Sequence, residues 1–230
     1  MLGNFVSTWK SVIIHPNDFF RDMPTSGGYR DPLVFAVINY IIYAIIASTS
    51  NLVQIRSLVE SGVIPGSMVA ISYVMSLVGL IFTPVFSIIG LFIGAAIYFI
   101  CFKMVGGSGS YEGTFRISAY ASAVTVISGV LVVVFTFVNL LSPVNQMISI
   151  TDMAELMESM QYMVYSISSI ILLLLLLVIY SIYLMGQGGK YVHNITMLRS
   201  VIAILLPSIV VGLLFISLIM FSGSGGEICT

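Results

Sequence analysis

Five apolar runs, each long enough to cross a bilayer as a helix, constrain this chain more than any other feature of its sequence. About 20 helical residues span the hydrocarbon core, and backbone polar groups inside that core must be paired within the helix. We predict spans over about 33–53, 68–102, 117–141, 160–185 and 201–221. The predicted fold is therefore an all-α membrane protein, a five-helix transmembrane bundle with a short N-terminal amphipathic interfacial segment.

The composition supports a lipid-facing surface. Of the 230 residues, 59% are hydrophobic and only 7% are charged. A soluble domain has about 25% charged residues, so this chain has too few to cover a surface that faces water. The net charge of −1 provides no basic field, and we expect no binding of nucleic acid.

The stretch from 61 to 102 is ambiguous, because it contains Pro65 and Pro84 and has room for one kinked span or two short ones. With five spans, seven of the eight Lys and Arg residues lie on the side of the N-terminus, whereas six spans would leave three there and five opposite. The seven are Lys10, Arg21, Arg30, Lys103, Arg116, Lys190 and Arg199, and the eighth is Arg56. Since short cytoplasmic loops collect Lys and Arg, we favour five spans, a cytoplasmic N-terminus and an external C-terminus.

The domain boundaries follow from these spans. We predict a cytoplasmic amphipathic segment over 1–31, the transmembrane domain over 32–222 and a short external tail over 223–230. The apolar side of the first segment suits two places. It can lie in the headgroup layer, or it can cover the cytoplasmic end of the bundle.

The predicted spans contain no Asp, Glu, Lys, Arg or His. Proton-coupled transporters and intramembrane enzymes usually place such residues there, so we predict no catalytic, cofactor or metal site and no enzymatic activity. His15 and His193 fall outside the spans and are interpreted as ordinary interfacial residues. The glycine-rich stretch 186–190 is interpreted as the end of the fourth helix.

Three groups of residues are candidates for binding or assembly. A cytoplasmic face for a partner is predicted from Trp9, Phe19, Phe20, Tyr29, Arg30, Asp31, Tyr111 and Arg116. Small residues at helical spacing let helices approach closely, and they predict a packing face at Gly90, Gly94, Ser118 and Ser122. Uncharged polar side chains in or near the spans predict a cavity lined by Asn39, Tyr43, Tyr120 and Asn139.

Motifs at the helix ends resemble those of a known family. They are His15-Pro16-Asn17-Asp18-Phe19-Phe20, Tyr29-Arg30-Asp31-Pro32-Leu33, Gly106-Gly107-Ser108-Gly109-Ser110-Tyr111, Thr114-Phe115-Arg116 and Ala119-Tyr120-Ala121-Ser122. The family is that of the Yip1-domain proteins, and the resemblance covers nearly the whole chain. It implies a five-helix membrane protein with a cytoplasmic N-terminus, in a family whose eukaryotic members are linked to vesicle trafficking.

Two functional hypotheses remain open at this point. The first is a non-enzymatic scaffold in the membrane, whose partners would be lipid, another membrane protein or a second copy of itself. The second is a small transporter or channel for a neutral solute or lipid. Eukaryotic members of the family bind Rab-type GTPases, but they carry a long N-terminal tail, and here about 31 residues precede the first span. We therefore expect no Rab-type partner, and we expect the plasma membrane of a prokaryote rather than an internal membrane.

Overall fold

The computed structural model describes residues 2–60, 62, 64–140 and 153–224. Within the helices, the side chains of 2–3, 139–140, 153–156, 158–159, 162–163, 166 and 218–224 are not described. Eight helices follow one another along the described part: α1 (Leu2–Ile14), α2 (Pro16–Asp22), α3 (Arg30–Glu60), α4 (Gly66–Met104), α5 (Tyr111–Ala121), α6 (Ala123–Leu140), α7 (Met153–Val192) and α8 (Met197–Ser224).

Five stretches of helix are long and apolar enough to cross a membrane, which confirms the predicted five-span bundle. The third consists of α5 and α6, which meet at Ser122. The ambiguous stretch forms the single helix α4, with Pro84 inside it. A proline is tolerated there because neighbouring helices and local adjustments satisfy the backbone groups that it frees.

The third span begins earlier than predicted, at Tyr111 rather than near residue 117. Glu112 and Arg116 therefore lie in the first turns of a span-length helix, ahead of the predicted apolar range. The expectation that the part inside the bilayer holds no ionisable residue stays a prediction. The side chains of Glu112 and Arg116 partly neutralise each other's charge, because they form an ion pair one helical turn apart. The hydropathy of the sequence located the apolar centre of this helix but not its polar first turn.

The prediction that the glycines near 186–190 end the fourth helix is also wrong, since α7 continues to Val192. A Cβ atom added at Gly188 would lie 2.5 Å from the side chain of Ile117, and one at Gly189 would overlap the hydroxyl of Ser200. These glycines therefore let α7 approach α5 and α8 closely, which is how small residues act in membrane bundles.

The two ends of the bundle differ. We call the end that carries α1, α2 and the turns 105–110 and 193–196 the capped end, and the other end, where α3 joins α4, the open end. The largest fully buried apolar side chains lie towards the capped end, among them Phe102, Phe115 and Leu184. In contrast, the side chains of 171–176 in α7 and 209–216 in α8 are mostly exposed, as a lipid-facing surface requires.

The N-terminal segment lies across the capped end. Val12 of α1 and Phe20 of α2 belong to the main apolar core, and Phe5, Trp9 and Ile13 pack against it. Of the two placements left open by the sequence, the structure therefore supports coverage of the bundle. The apolar side of α1 packs against the helices of the bundle.

Candidate functional site

Three hydrogen bonds attach the N-terminal segment to distant helices. The indole Nε1 of Trp9 donates to the carbonyl of Ala123 at 3.2 Å. The hydroxyl of Tyr180 in α7 donates to the carbonyl of Ile13. The hydroxyl of Tyr191, also in α7, donates to Oδ1 of Asn17 at 2.7 Å. The segment is thus bonded to α6 and α7, and its position relative to the bundle is fixed by polar as well as apolar contacts.

The loop between α2 and α3 is held in place by the buried guanidinium of Arg116. The guanidinium of Arg116 donates from Nη1 to the carbonyl of Pro24 at 3.1 Å and from Nη2 to the carbonyl of Gly28 at 2.7 Å. Its Nε lies 3.4 Å from Oε1 of Glu112, and that oxygen accepts the backbone N–H of Gly28 at 2.7 Å. Arg116 is only 4% exposed. Arg116 and Glu112 together therefore hold the loop 24–28 in one conformation.

The predicted partner face divides into buried and exposed residues. Phe20 is 1% exposed and Arg116 is buried beneath the loop, so neither is available to a partner in this conformation. They were placed on the face because a loop or an interfacial helix was expected to leave them exposed, whereas tertiary packing covers both. Tyr29, Arg30 and Asp31 are exposed.

The other three residues of that face are half-buried and take part in packing. Trp9 is bonded to α6, as described above. The ring of Phe19 lies edge-on to that of Tyr120, with ring centroids 5.0 Å apart. The hydroxyl of Tyr111 donates to the carbonyl of Phe92 at 3.1 Å. These three side chains contribute to the shape of the capped end rather than projecting from it.

A recess of about 400 Å³ lies at the capped end beside this loop. Polar and charged side chains make up much of its lining, and two of them, Asp18 and Asp22, also pair with Arg21 at 3.2 and 3.1 Å. Its lining residues are Thr8, Ser11, His15, Asp18, Phe19, Asp22, Met23, Pro24 and Tyr120. The recess is therefore formed jointly by α1, α2, the loop and α5.

His193 is not an interfacial residue, because it is fully buried at the capped end. Its Nε2 lies 2.8 Å from Oγ1 of Thr114, and its ring stacks on Phe102 with centroids 4.4 Å apart. Since the Thr114 hydroxyl also donates to the carbonyl of Ser110, Nε2 is best assigned as the donor, which leaves Nδ1 unprotonated. Burial, and secondarily the charge of Lys103, lowers the pKa of His193 to about 4.

The predicted small-residue packing face lies in a different setting. Gly90, Gly94, Ser118 and Ser122 all line a groove of about 650 Å³ on the side of the bundle. A Cβ atom at Gly90 or Gly94 would have no other atom within 4 Å, so these two glycines do not pack against another helix of this chain. Packing of this face against a second copy stays a prediction.

This feature, which we call the lateral groove, has three sides. One wall is a face of α4 and the other is a face of α7 that includes Leu177, Val178 and Ser181. The floor is formed by α5 and α6, where they meet at Ser122. All three sides belong to membrane-spanning helices, so the groove faces the lipid of the bilayer rather than either end of the bundle.

Three of the four predicted cavity residues, Asn39, Tyr43 and Tyr120, lie in different surroundings. Asn39 is fully buried, and its Nδ2 donates to the carbonyl of Phe35 at 2.9 Å and to the hydroxyl of Ser122 at 3.4 Å. Tyr120 lines the recess at the capped end, and Tyr43 lies beside Gly129 of α6. The side chain of Asn139 is outside the described residues. Asn39 forms an interhelical hydrogen bond, as its polar character indicated, and the shared cavity stays a prediction.

Sequence reasoning missed Glu112, Thr114 and His193 as members of the capped end. The i,i+4 spacing of Glu112 and Arg116 was a usable signal for an ion pair. The contact of Thr114 with His193 joins residues 79 positions apart, and local sequence carries no sign of it. Among the described residues, no group of three or more His, Cys, Asp or Glu side chains is placed to hold a metal ion.

The helices, the exposed apolar surface and the lateral groove define a multi-pass integral membrane protein of the five-span helical class. Within that class, the chain belongs to the Yip1-domain family, since the model of the Yip1 domain matches residues 10–219. The matched region includes the C-terminal end of α1, all of α2 to α7 and most of α8. Comparison with curated proteins and with solved structures finds no match.

Proposed function

We propose that this protein is a non-enzymatic scaffold in the membrane, which binds a segment of a partner protein at the capped end. The proposal includes the topology given by the charge count, with the capped end in the cytoplasm and the C-terminus outside. It also includes the plasma membrane of a prokaryote as the location. The partner is another membrane protein or a second copy of this chain.

The observation that carries the proposal is the support of an exposed loop by a buried charge. Burial of a guanidinium costs on the order of several kcal/mol unless close hydrogen bonds and an opposite charge offset this penalty. Arg116 donates hydrogen bonds to the loop carbonyls of Pro24 and Gly28. These bonds fix the backbone that leads directly to Tyr29, Arg30 and Asp31, whose side chains are exposed. A surface ordered in advance loses less conformational entropy on binding.

Site-specific photo-crosslinking in native membranes tests this proposal. A photoactivatable amino acid in place of Tyr29 should yield a covalent adduct with one defined protein, identified by mass spectrometry. The double variant Arg30→Ala/Asp31→Ala should lower that yield several-fold. Arg56→Ala/Glu60→Ala is the matched control, because it removes an exposed pair at the other end of the same helix α3. Equal yields from both double variants would contradict the proposal.

A second candidate function is passage of a neutral solute or lipid, and the lateral groove favours it. Purified protein in sealed vesicles should then raise the flux of a neutral probe or the exchange of labelled lipid between leaflets above that of empty vesicles. Flux equal to that of empty vesicles removes this candidate. It leaves the scaffold proposal untouched, because that proposal rests on the capped end.

A further inference from the structure

We infer that Lys103 and Arg199, together with the exposed apolar side chains of α4 and α8 beside them, bind the headgroup and chains of an anionic phospholipid. The site belongs to the capped end, but it lies on other helices than the loop 24–28 and the first turn of α3. It therefore does not rest on the scaffold proposal. Four observations support it: the two cations share one place, they have no carboxylate partner, they lie at the ends of two spans, and apolar stripes continue from them.

The two cations meet where α4 ends and α8 begins. The N–H of Gly106 donates to the carbonyl of Lys103 at 3.1 Å, and Nη1 of Arg199 lies 4.0 Å from the position of a Cβ atom built on Gly106. The guanidinium of Arg199 thus lies against the turn that follows Lys103. The C-terminus of α4 and the N-terminus of α8 carry opposite partial charges, so the two side chains determine the sign of the potential here.

Neither cation is neutralised by a carboxylate. Within the described residues, Lys103 and Arg199 form no ion pair with an Asp or Glu side chain. By contrast, Arg21 and Arg116 at the same end each pair with a carboxylate of their own helix. The ammonium of Lys103 lies over the ring of Phe99, with Nζ 5.5 Å from the ring centroid. Two exposed positive charges without a counter-charge favour an anionic ligand.

The position of the cations along the spans determines which anion they meet. Lys103 is the second-last residue of the span Gly66–Met104, and Arg199 is the third residue of the span Met197–Ser217. The hydrocarbon core gives way to lipid headgroups at the end of a span, and the long side chains of Lys and Arg extend towards that layer. The phosphate of an anionic phospholipid is the anion concentrated there.

An exposed apolar stripe continues from each cation along its helix. Ile100 precedes Lys103 by three residues and Ile202 follows Arg199 by three, and side chains at this spacing are neighbours on a helix surface. Since α4 and α8 pack against each other, the two stripes belong to adjacent helices. The stripes consist of Ile97, Ile100 and Met104 on α4, and of Leu198, Ile202 and Leu205 on α8.

The order of chemistry along these helices matches that of a phospholipid. Positive charge lies at the end of the span, and apolar surface follows towards its middle. A phosphate would contact the cations while the acyl chains cover the stripes. A free phosphate or an acidic peptide segment would satisfy the cations but would leave the apolar stripes without a partner.

Photolabelling of the full-length protein in phosphatidylcholine vesicles tests this inference. The probes are phosphatidylglycerol and, for comparison, phosphatidylcholine, each with a photoactivatable group on an acyl chain, and adducts are located by mass spectrometry. Phosphatidylglycerol should label the stripes preferentially, and unlabelled phosphatidylglycerol should compete. Lys103→Gln/Arg199→Gln should lower this labelling about 25-fold and Lys103→Gln alone about fivefold, because each Lys or Arg near anionic headgroups strengthens binding by about that factor.

Two further double variants separate the site from general effects of charge and folding. Lys103→Arg/Arg199→Lys keeps both charges and should label as the unmodified protein does. Lys10→Gln/Arg56→Gln is the matched control, because it removes one exposed Lys and one exposed Arg elsewhere, and it should leave the labelling of the stripes unchanged. Size-exclusion profiles verify that each variant is folded.

Three results would overturn the inference. Wild-type labelling of Lys103→Gln/Arg199→Gln, or an equal loss in the matched control, would overturn the site. Equal labelling of the stripes by phosphatidylcholine would overturn the need for an anionic headgroup. Crosslinks from the stripes to another protein or to a second copy would overturn the lipid as the occupant.

Discussion

At the capped end, side chains from helices far apart in sequence bond to one another, whereas at the open end the same helices present mainly apolar surface. Arg116, His193 and Trp9 each make a hydrogen bond or close polar contact with a residue at least 79 positions away. Towards the open end, Phe82, Phe86 and their neighbours on α4 are exposed. The capped end is therefore specified mainly by contacts between distant residues. Towards the open end such contacts are fewer, and one of them is the hydrogen bond from the hydroxyl of Ser76 in α4 to the carbonyl of Ser48 in α3.

This contrast shows where substitutions should matter. A membrane supplies apolar surroundings to any apolar side chain, so many sequences satisfy the open end equally well. Buried polar groups at the capped end need specific partners, and loss of one partner leaves another group unsatisfied. Matched substitutions at the two ends should therefore differ in their effect on stability, as the following four predictions state, from the largest effect to the smallest.

Gly189→Leu should have the largest effect, because its side chain would overlap Ser200 and Phe102 where α7 meets α8 and α4. Overpacking of this kind costs about 3 kcal/mol or more, and we expect loss of the folded bundle in detergent. Gly212→Leu, in the exposed part of α8, has open space and should leave the unfolding temperature unchanged or slightly raised. Size-exclusion profiles and thermal unfolding measure both, and equal behaviour would break the comparison.

Arg116→Met should destabilise the protein by about 3 kcal/mol, because it leaves Glu112 without its counter-charge and the loop carbonyls without their donor. Arg56→Met removes a similar pair with Glu60 that is fully exposed near the open end, and it should change stability only slightly. Denaturant unfolding of the two variants in the same detergent gives the difference. A similar loss for both variants would show that the capped end does not depend on its buried charge.

His193 should make the capped end sensitive to acid. Its pKa is lowered to about 4 from an ordinary value of 6.5, so between these values the unfolded chain binds a proton that the folded protein does not. Stability contributed by neutral His193 is therefore complete above about pH 6.5 and is lost as the pH falls towards 4, by about 2–3 kcal/mol.

Thermal unfolding from pH 7.5 to 4.5 measures this loss. His193→Gln should reduce the dependence on pH, while His15→Gln, at an exposed position, should retain it. Parallel pH profiles for the wild type and His193→Gln would contradict the assignment. The unpaired Nδ1 gives the physical reason for the expected slope, since protonation would bury an N–H without an acceptor.

Tyr180→Phe should have the smallest of the four effects, about 1 kcal/mol, because it removes only the hydrogen bond from α7 to the carbonyl of Ile13. Hydrogen exchange of α1 should accelerate while exchange in α4 stays the same. Tyr165→Phe removes an exposed hydroxyl from α7 and serves as the control. Unchanged exchange in α1 would show that apolar packing alone holds the N-terminal segment.

Much of the fold could be predicted from sequence because hydropathy is a local property. The five spans, the continuity of α4 and the amphipathic character of α1 follow from runs of residues and from the distribution of Lys and Arg. Helix ends were less predictable. A glycine-rich stretch is typical of a helix end, yet Gly188 and Gly189 lie inside α7, where they allow close packing against Ile117 and Ser200.

The candidate site was predicted only in part, and the misplaced residues share one cause. Phe20 and Arg116 were expected on a surface because each lies in a short polar stretch, but the first is packed in the main apolar core and the loop before α3 covers the second. Arg30 and Asp31 are exposed at the first turn of α3, and their part in binding a partner stays a prediction.

The sequence by itself determined that this chain lies in a membrane, that it crosses five times and that it resembles the Yip1-domain family. These properties depend on composition, periodicity and short motifs, which are readable without knowing which helices are neighbours. Only the tertiary structure decided that Gly90 and Gly94 border a groove and that His193 is buried. Burial and open space depend on which helix faces converge, and those faces come from positions as far apart in the chain as Tyr40 and Met185.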